Sequence, residues 1–188
     1  YVSRGGLKLE RALEWWNIDV SGLVCLDVGA STGGFTDCLL QRGAARVVAV
    51  DTGYGQLDFR LRNDQRVRLI EKLNACYLKS EDLGVAIDVV VIDVSFISAT
   101  LVLSAVVNAA FAAERAGKRI IVLVKPQFEA GREYVGKGGI VRDERVQNGA
   151  VERVRGKLLE IGCARTEFIE SPILGAEGNR EFLLLGAW

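Results

Sequence analysis

Leu23-Val24-Cys25-Leu26-Asp27-Val28-Gly29-Ala30-Ser31-Thr32-Gly33-Gly34-Phe35-Thr36 is the stretch on which the reading of this chain turns. Its first half is a continuous apolar run interrupted only by Asp27 near its end, the pattern of a strand buried on both faces. A glycine-rich turn follows. From Gly34 the pattern continues as a helix to Gln41, with Gly43 placed to stop it.

Outward from this unit the alternation repeats. Leu9, Leu13 and Trp16 fall at i, i+4, i+7, so residues 6 to 17 read as an opening helix. Further strands are expected at Arg46–Val50, Val67–Ile70, Ile87–Ile92 and Ile120–Val124, with helices over 98–113 and 143–162. The polar, Gly-rich stretch Gln127 to Arg142 is no core segment. Cys163–Ser171 and Glu181–Trp188 close the chain as two strands without an intervening helix, which predicts an antiparallel hairpin at one edge. Strands separated by helices predict an α/β, doubly wound, mostly parallel sheet with helices on both faces and a late antiparallel strand.

Composition narrows the chemistry. The 188 residues carry 24 Lys+Arg against 24 Asp+Glu and no His, which excludes His-ligated metal and every Ser-His or Cys-His mechanism. Zero net charge argues against strong sequence-blind nucleic-acid binding by the chain alone. Cys25, Cys38, Cys76 and Cys163 form no C-x-x-C pair and read as buried or half-buried thiols in a reducing, cytoplasmic setting. No export leader precedes them, and a chain opening at Tyr1 reads as the remainder of a longer protein. Val94 to Ala113 is a twenty-residue run without charge, but Ser95, Ser98, Thr100, Ser104 and Asn108 make a strand end, turn and Ala-rich helix the better reading than a membrane span.

In doubly wound sheets ligands bind beyond the carboxyl ends of the strands. Asp27, Gly29, Asp51, Asn74, Asp93 and Lys125 should therefore line one rim. The turn lacks the G-x-G-x-x-G of a dinucleotide site, since Ser31 stands where the pyrophosphate would close in. No Gly-Lys pair is followed by Ser or Thr, so a phosphate-binding Walker loop fails too. Open backbone at Gly29, Gly33 and Gly34 suits a ligand without pyrophosphate, such as the amino-acid end of S-adenosylmethionine. Asp51, at the next strand end, stands where a ribose-binding carboxylate belongs.

Six segments in collinear order, covering essentially the whole chain, resemble the TlyA family. They are Ser3-Arg4-Gly5-Gly6-Leu7-Lys8-Leu9, Asp27 to Thr36, Val50 to Leu57, Ile92-Asp93-Val94-Ser95-Phe96-Ile97-Ser98, Val124-Lys125-Pro126-Gln127-Phe128-Glu129 and Glu177-Gly178-Asn179-Arg180-Glu181-Phe182. The resemblance implies a Rossmann-like, seven-stranded S-adenosylmethionine-dependent methyltransferase fold with an FtsJ-like catalytic domain over 1–188, acting on ribosomal RNA at a ribose 2′-hydroxyl. It implies a catalytic tetrad at Lys8, Asp93, Lys125 and Glu181. Cofactor contacts are expected from Asp27, Gly29, Ser31, Gly33, Gly34, Phe35, Asp51, Asn74 and Asp93. It also implies an S4-type RNA-binding domain ahead of Ser3, absent from this sequence. The family is often labelled haemolysin, although nothing in the residues supports a pore.

Within that resemblance, Lys125 at a strand end before Pro126 suits a general base for the hydroxyl, with Lys8 as a nearby cation and Asp93 and Glu181 orienting both. RNA contact is expected at Arg60, Arg62, Arg66 and Arg68, opposed only by Asp64, or at Arg132, Lys137 and Arg142 in the Gly-rich segment acting as a lid. The competing readings are a methyltransferase for a small molecule or protein, and a non-enzymatic haemolysin or membrane-interacting protein.

Overall fold

The computed structural model describes residues 1–112 and 117–188. In chain order the elements are α1 (Gly5–Trp15), β1 (Val24–Val28), α2 (Gly34–Gln41), β2 (Arg46–Val50), α3 (Phe59–Arg62) and β3 (Val67–Ile70). Then come α4 (Ser80–Leu83), β4 (Val89–Ile92), α5 (Ala99–Ala110), β5 (Arg119–Val124), α6 (Pro126–Glu129), α7 (Glu144–Glu160), β6 (Arg165–Glu170) and β7 (Phe182–Ala187). The helix expected over 98–113 is α5 as far as Ala110, and residue 113 lies outside the described residues. The Gly-rich stretch after β5 forms α6 and two 3₁₀ turns, Arg132–Tyr134 and Lys137–Gly139.

The seven strands form one sheet in the order β3-β2-β1-β4-β5-β7-β6. β1 to β5 are parallel, and β7 lies antiparallel between β5 and β6. The residues explain this placement. β7 reads Phe-Leu-Leu-Leu-Gly-Ala and is buried along nearly its whole length, as an interior strand must be. β6 reads Arg-Thr-Glu-Phe-Ile-Glu and keeps its charges at the edge, where they block further pairing.

Alternate strand residues feed two cores. Leu26, Val28, Val48, Val90, Ile92, Ile120 and Val122 pack against Val102, Leu103 and Val106 of α5 and Val151, Val154 and Leu158 of α7. Cys25, Val47, Ala49, Val91, Ile121 and Leu123 pack on the other face against Leu9, Ala12 and Leu13 of α1 and Phe35, Cys38 and Leu39 of α2. Burial pushes the Cys25 and Cys38 thiols up to about 12, which leaves them inert. The uncharged run after β4 is accounted for by α5, whose 12 residues span about 18 Å, short of a hydrocarbon layer about 30 Å thick. No helix among the described residues is long and apolar enough to cross a membrane.

Gly33 ends the turn after β1 at φ +101°, and a Cβ there would stand 2.3 Å from Leu61 Cδ1 and 2.8 Å from Leu57 Cδ1. Its glycine therefore serves α2 and its neighbours. Gly33→Val is expected to lower stability by about 1–3 kcal/mol, read as an earlier urea-unfolding midpoint. An unchanged midpoint would mean that the turn adapts.

Candidate active site

From β1 the chain runs outward through β2 and β3, then returns to place β4 on the other side of β1. The switch point therefore lies between the ends of β1 and β4, where Gly29 and Asp93 sit. Gly29 adopts φ +84°, and a Cβ on it would stand 2.4 Å from the Asp93 carbonyl oxygen. Only glycine lets the first turn pass this close to the end of β4. Two cavities open on either side of that contact, sharing Gly29, Ser31, Asp93 and Phe96.

The first cavity, about 390 Å³, has apolar walls from Val28, Val50, Leu73, Ala75, Ile97 and Val102 and polar groups at Asp51 and Asn74. Asp51 accepts from the backbone N–H of Ser31 at 2.8 Å and of Gly53 at 2.6 Å. Each carboxylate oxygen retains acceptor capacity for a hydroxyl. Asn74 is held by accepting from the Cys76 N–H at 2.9 Å. An apolar slot for a flat base beside a fixed carboxylate for a vicinal diol fits an adenosine. The residues present thus fit S-adenosylmethionine.

The second cavity, about 540 Å³, is lined by Ser3, Arg4, Gly5 and Lys8 from the start of α1, and by Gly34, Phe35, Asp93, Lys125, Gln127, Phe128 and Glu181. It gathers all four members of the expected tetrad as two ion pairs. Lys8 Nζ donates to Glu181 Oε2 at 2.5 Å, with the two residues 7% and 3% exposed. Lys125 Nζ lies 2.6 Å from Asp93 Oδ1, as a charge contact rather than an aligned hydrogen bond. Lys125 follows Val124 and Glu181 precedes Phe182, the last pair of the antiparallel β5–β7 ladder, and Asp93 follows β4 on the other side of β5. Arg180, the chain neighbour of Glu181, pairs with Glu170 and Glu144 instead, leaving Glu181 to Lys8.

Several expected contacts sit elsewhere. Asp27 lines neither cavity: it is fully buried beneath the turn, where Thr36 Oγ1 donates to its Oδ2 at 2.7 Å. A strand side chain at that position points into the α2 layer rather than out over the rim, so its role is to hold the turn. Gly33 also lines neither cavity, for the reason given by Leu57 and Leu61. Phe35 reaches the second cavity only from the core, at 2% exposure.

Three of the four arginines in the run are paired with carboxylates. Arg60 pairs with Asp58, Arg62 with Glu71 and Arg66 with Asp64, while Arg68 donates to the Leu83 carbonyl. Arg132, Lys137 and Arg142 are exposed with no ion-pair partner among the described residues. Their segment is anchored by Asn179, which accepts from the Val141 N–H and donates to the Gly139 carbonyl.

Sequence reasoning quoted Ser95, Phe96, Arg4 and Phe128 within motifs but gave them no place in the site. Their signal was adjacency to strand ends and to α1. Phe96 is 91% exposed at φ +64°, a conformation rare for an aromatic residue, and its ring centroid lies 5.3 Å from that of Phe128.

A family model described as FtsJ-like methyltransferase matches residues 1–188. The "16S/23S rRNA (cytidine-2'-O)-methyltransferase TlyA" of Mycobacterium tuberculosis is 48% identical over 184 residues, 98% of this chain and 67% of that protein. "Hemolysin A" of Brachyspira hyodysenteriae is 45% identical over 188 residues, 97% of this chain and 75% of that protein. A solved structure described as "Putative hemolysin from Streptococcus thermophilus" superposes with a TM-score of 0.92 at 45% identity, covering 100% of this chain and 66% of that one.

Burial raises the Asp27 carboxyl to about 7, opposed by the Thr36 hydrogen bond. A carboxyl raised on folding stabilises fully below its unfolded value near 4 and loses that contribution as pH climbs through about 7. Thermal melts at pH 5 and pH 8 should therefore differ more in the wild type than in Asp27→Asn, with the wild type losing stability toward pH 8. Equal pH dependence in the two proteins would contradict the burial argument.

Proposed function

The chain belongs to the FtsJ-like methyltransferase family, and from that premise we propose that it methylates ribosomal RNA at a ribose 2′-hydroxyl, using S-adenosylmethionine. The observation that carries this reading is the double ion pair of the second cavity, meeting the adenosine-shaped first cavity at Asp93. In this reading the chain is the catalytic domain, 1–188, of a longer protein.

Bound S-adenosylmethionine supplies an electrophilic methyl group on a sulfonium that is already a good leaving group. The residues must therefore align the acceptor oxygen and manage its proton. A ribose hydroxyl titrates far above neutral pH, so a base at the oxygen accelerates attack. Lys125 takes this role: it follows β5 directly, lines the second cavity and contacts Asp93, which the two cavities share. Lys8 places a fixed positive charge across the same cavity and steadies the developing alkoxide. Asp93 and Glu181 hold the two lysines in place, and Asp51 and Asn74 seat the nucleoside half of the cofactor. A methyltransferase for a small molecule or protein would have no need of two lysine–carboxylate pairs at the acceptor side.

The relatives named as hemolysins raise membrane lysis as a second reading. The lysines and carboxylates gathered over the adenosine pocket favour methyl transfer. Labelled S-adenosylmethionine, ribosomal RNA and mass mapping of ribose methylation test it directly. Liposome leakage by the purified chain without methyl transfer would overturn it.

Lys125→Ala is expected to lower the single-turnover rate by roughly 10²–10⁴ while leaving cofactor affinity by calorimetry unchanged. Lys125→Arg keeps the charge but releases no proton near neutral pH, so it should remain impaired. Near-normal turnover in the arginine variant would reduce Lys125 to an electrostatic clamp.

RNA contact by this domain is assigned to Arg132, Lys137 and Arg142 rather than to the paired arginines 60 to 68. Removing Arg132 and Lys137 should flatten the slope of log affinity against log salt by about 0.7–0.9 per lost phosphate contact. Arg60→Ala with Arg66→Ala should leave that slope where it was. The reverse pattern would move the RNA face to α3.

A further inference from the structure

Lys125 has two oxygen partners, and they differ in kind. Asp93 Oδ1 supplies charge at 2.6 Å without hydrogen-bond alignment, whereas Ser95 Oγ accepts an aligned hydrogen bond from Lys125 Nζ at 2.7 Å. Charge attraction holds an ammonium near a carboxylate but leaves it free to swing about the Cδ–Cε bond. A directed acceptor stops the swing.

We propose that Ser95 is the positioning residue for Lys125, fixing the nitrogen so that the lone pair exposed when the ammonium releases its third proton to solvent faces the acceptor cavity. The inference rests on the methyl-transfer reading above. The local backbone is built for the contact: Asp93 and Ser95 flank Val94, and the left-handed Phe96 (φ +64°) then turns the chain sharply. A non-glycine residue at positive φ is strained and persists only where surrounding contacts impose it. Here the Phe96–Phe128 ring contact and the Ser95–Lys125 hydrogen bond both tie the loop after β4 to the segment after β5.

Ser95 also lies on the wall of the first cavity while Lys125 lies on the wall of the second. The hydroxyl thus links the place where the cofactor sits to the group that meets the acceptor.

The test uses the full chain with lysine labelled by ¹³C at Cε, the Lys125 signal being identified by its loss in Lys125→Arg. A fixed amine gives two inequivalent Hε protons on Lys125. Ser95→Ala should shrink their separation, and Ser95→Thr, which keeps the hydroxyl, should restore it. In single turnover with ribosomal RNA, Ser95→Ala should be slower by about tenfold, with cofactor affinity by calorimetry within about twofold of wild type. Ser95→Thr should recover most of that rate. An Hε separation identical in wild type and Ser95→Ala would overturn the inference whatever the turnover shows. A wild-type chain that methylates no RNA would refute the functional reading, while the Hε comparison would still decide whether Ser95 positions Lys125.

Discussion

Strand β7 runs antiparallel to β5, and the charge arrangement of the site depends on that one reversal. β1 to β5 bring their carboxyl ends to the rim, so Gly29, Asp51, Asp93 and Lys125 arrive there as residues that follow strands. A sixth parallel neighbour would present its amino end at the far side of the sheet. Because β7 is inverted, its first residues reach the rim, and Glu181 lies beside Lys125. α1 then lays Lys8 over Glu181. An all-parallel sheet could carry the cofactor pocket but would leave Lys8 without its carboxylate.

That arrangement brings two cations and two anions together in one cavity, and Arg4 and Glu177 add one charge of each sign to its lining, so its formal charges cancel. The Lys8–Glu181 pair is almost wholly buried, so its desolvation cost is high and its members depend on each other. Losing one partner of such a pair typically costs about 3–5 kcal/mol, because the survivor is left charged and unpaired. The Lys125–Asp93 pair is more open and has the additional hydrogen bond to Ser95. One pair is rigid and dry, the other adjustable.

Much of this was legible in the chain. Continuous apolar runs marked the five parallel strands, the closing pair followed from the missing helix between them, and the polar residues ending the parallel runs located the rim, because strand ends in a doubly wound sheet converge by construction. What the chain did not reveal has one cause. Spacing along a strand says where a side chain stands, but neighbouring layers decide what it meets. Asp27 ends up against Thr36, inside the α2 layer, rather than over the rim. The arginines near α3 looked like a basic face with one opposing acid, yet Asp58, Glu71 and the Leu83 carbonyl also reach them in the fold. Ser95 gave no signal of its own, since a serine in a turn is ordinary until a lysine from another strand end bonds to it.

The sequence by itself determined the alternation of strand and helix, the glycine turn that excludes a pyrophosphate, the absence of histidine chemistry and the resemblance that pairs four distant residues. Those properties are local or compositional, and local geometry reads them out. Only the tertiary structure decided that β7 inserts between β5 and β6, that Lys8 meets Glu181 while Lys125 meets Asp93 and Ser95, and that Arg60, Arg62 and Arg66 have carboxylate partners. Each of these is a pairing across many residues of chain. Such pairings are set by which strand buries the most apolar surface and by the cost of leaving a charge alone inside the protein.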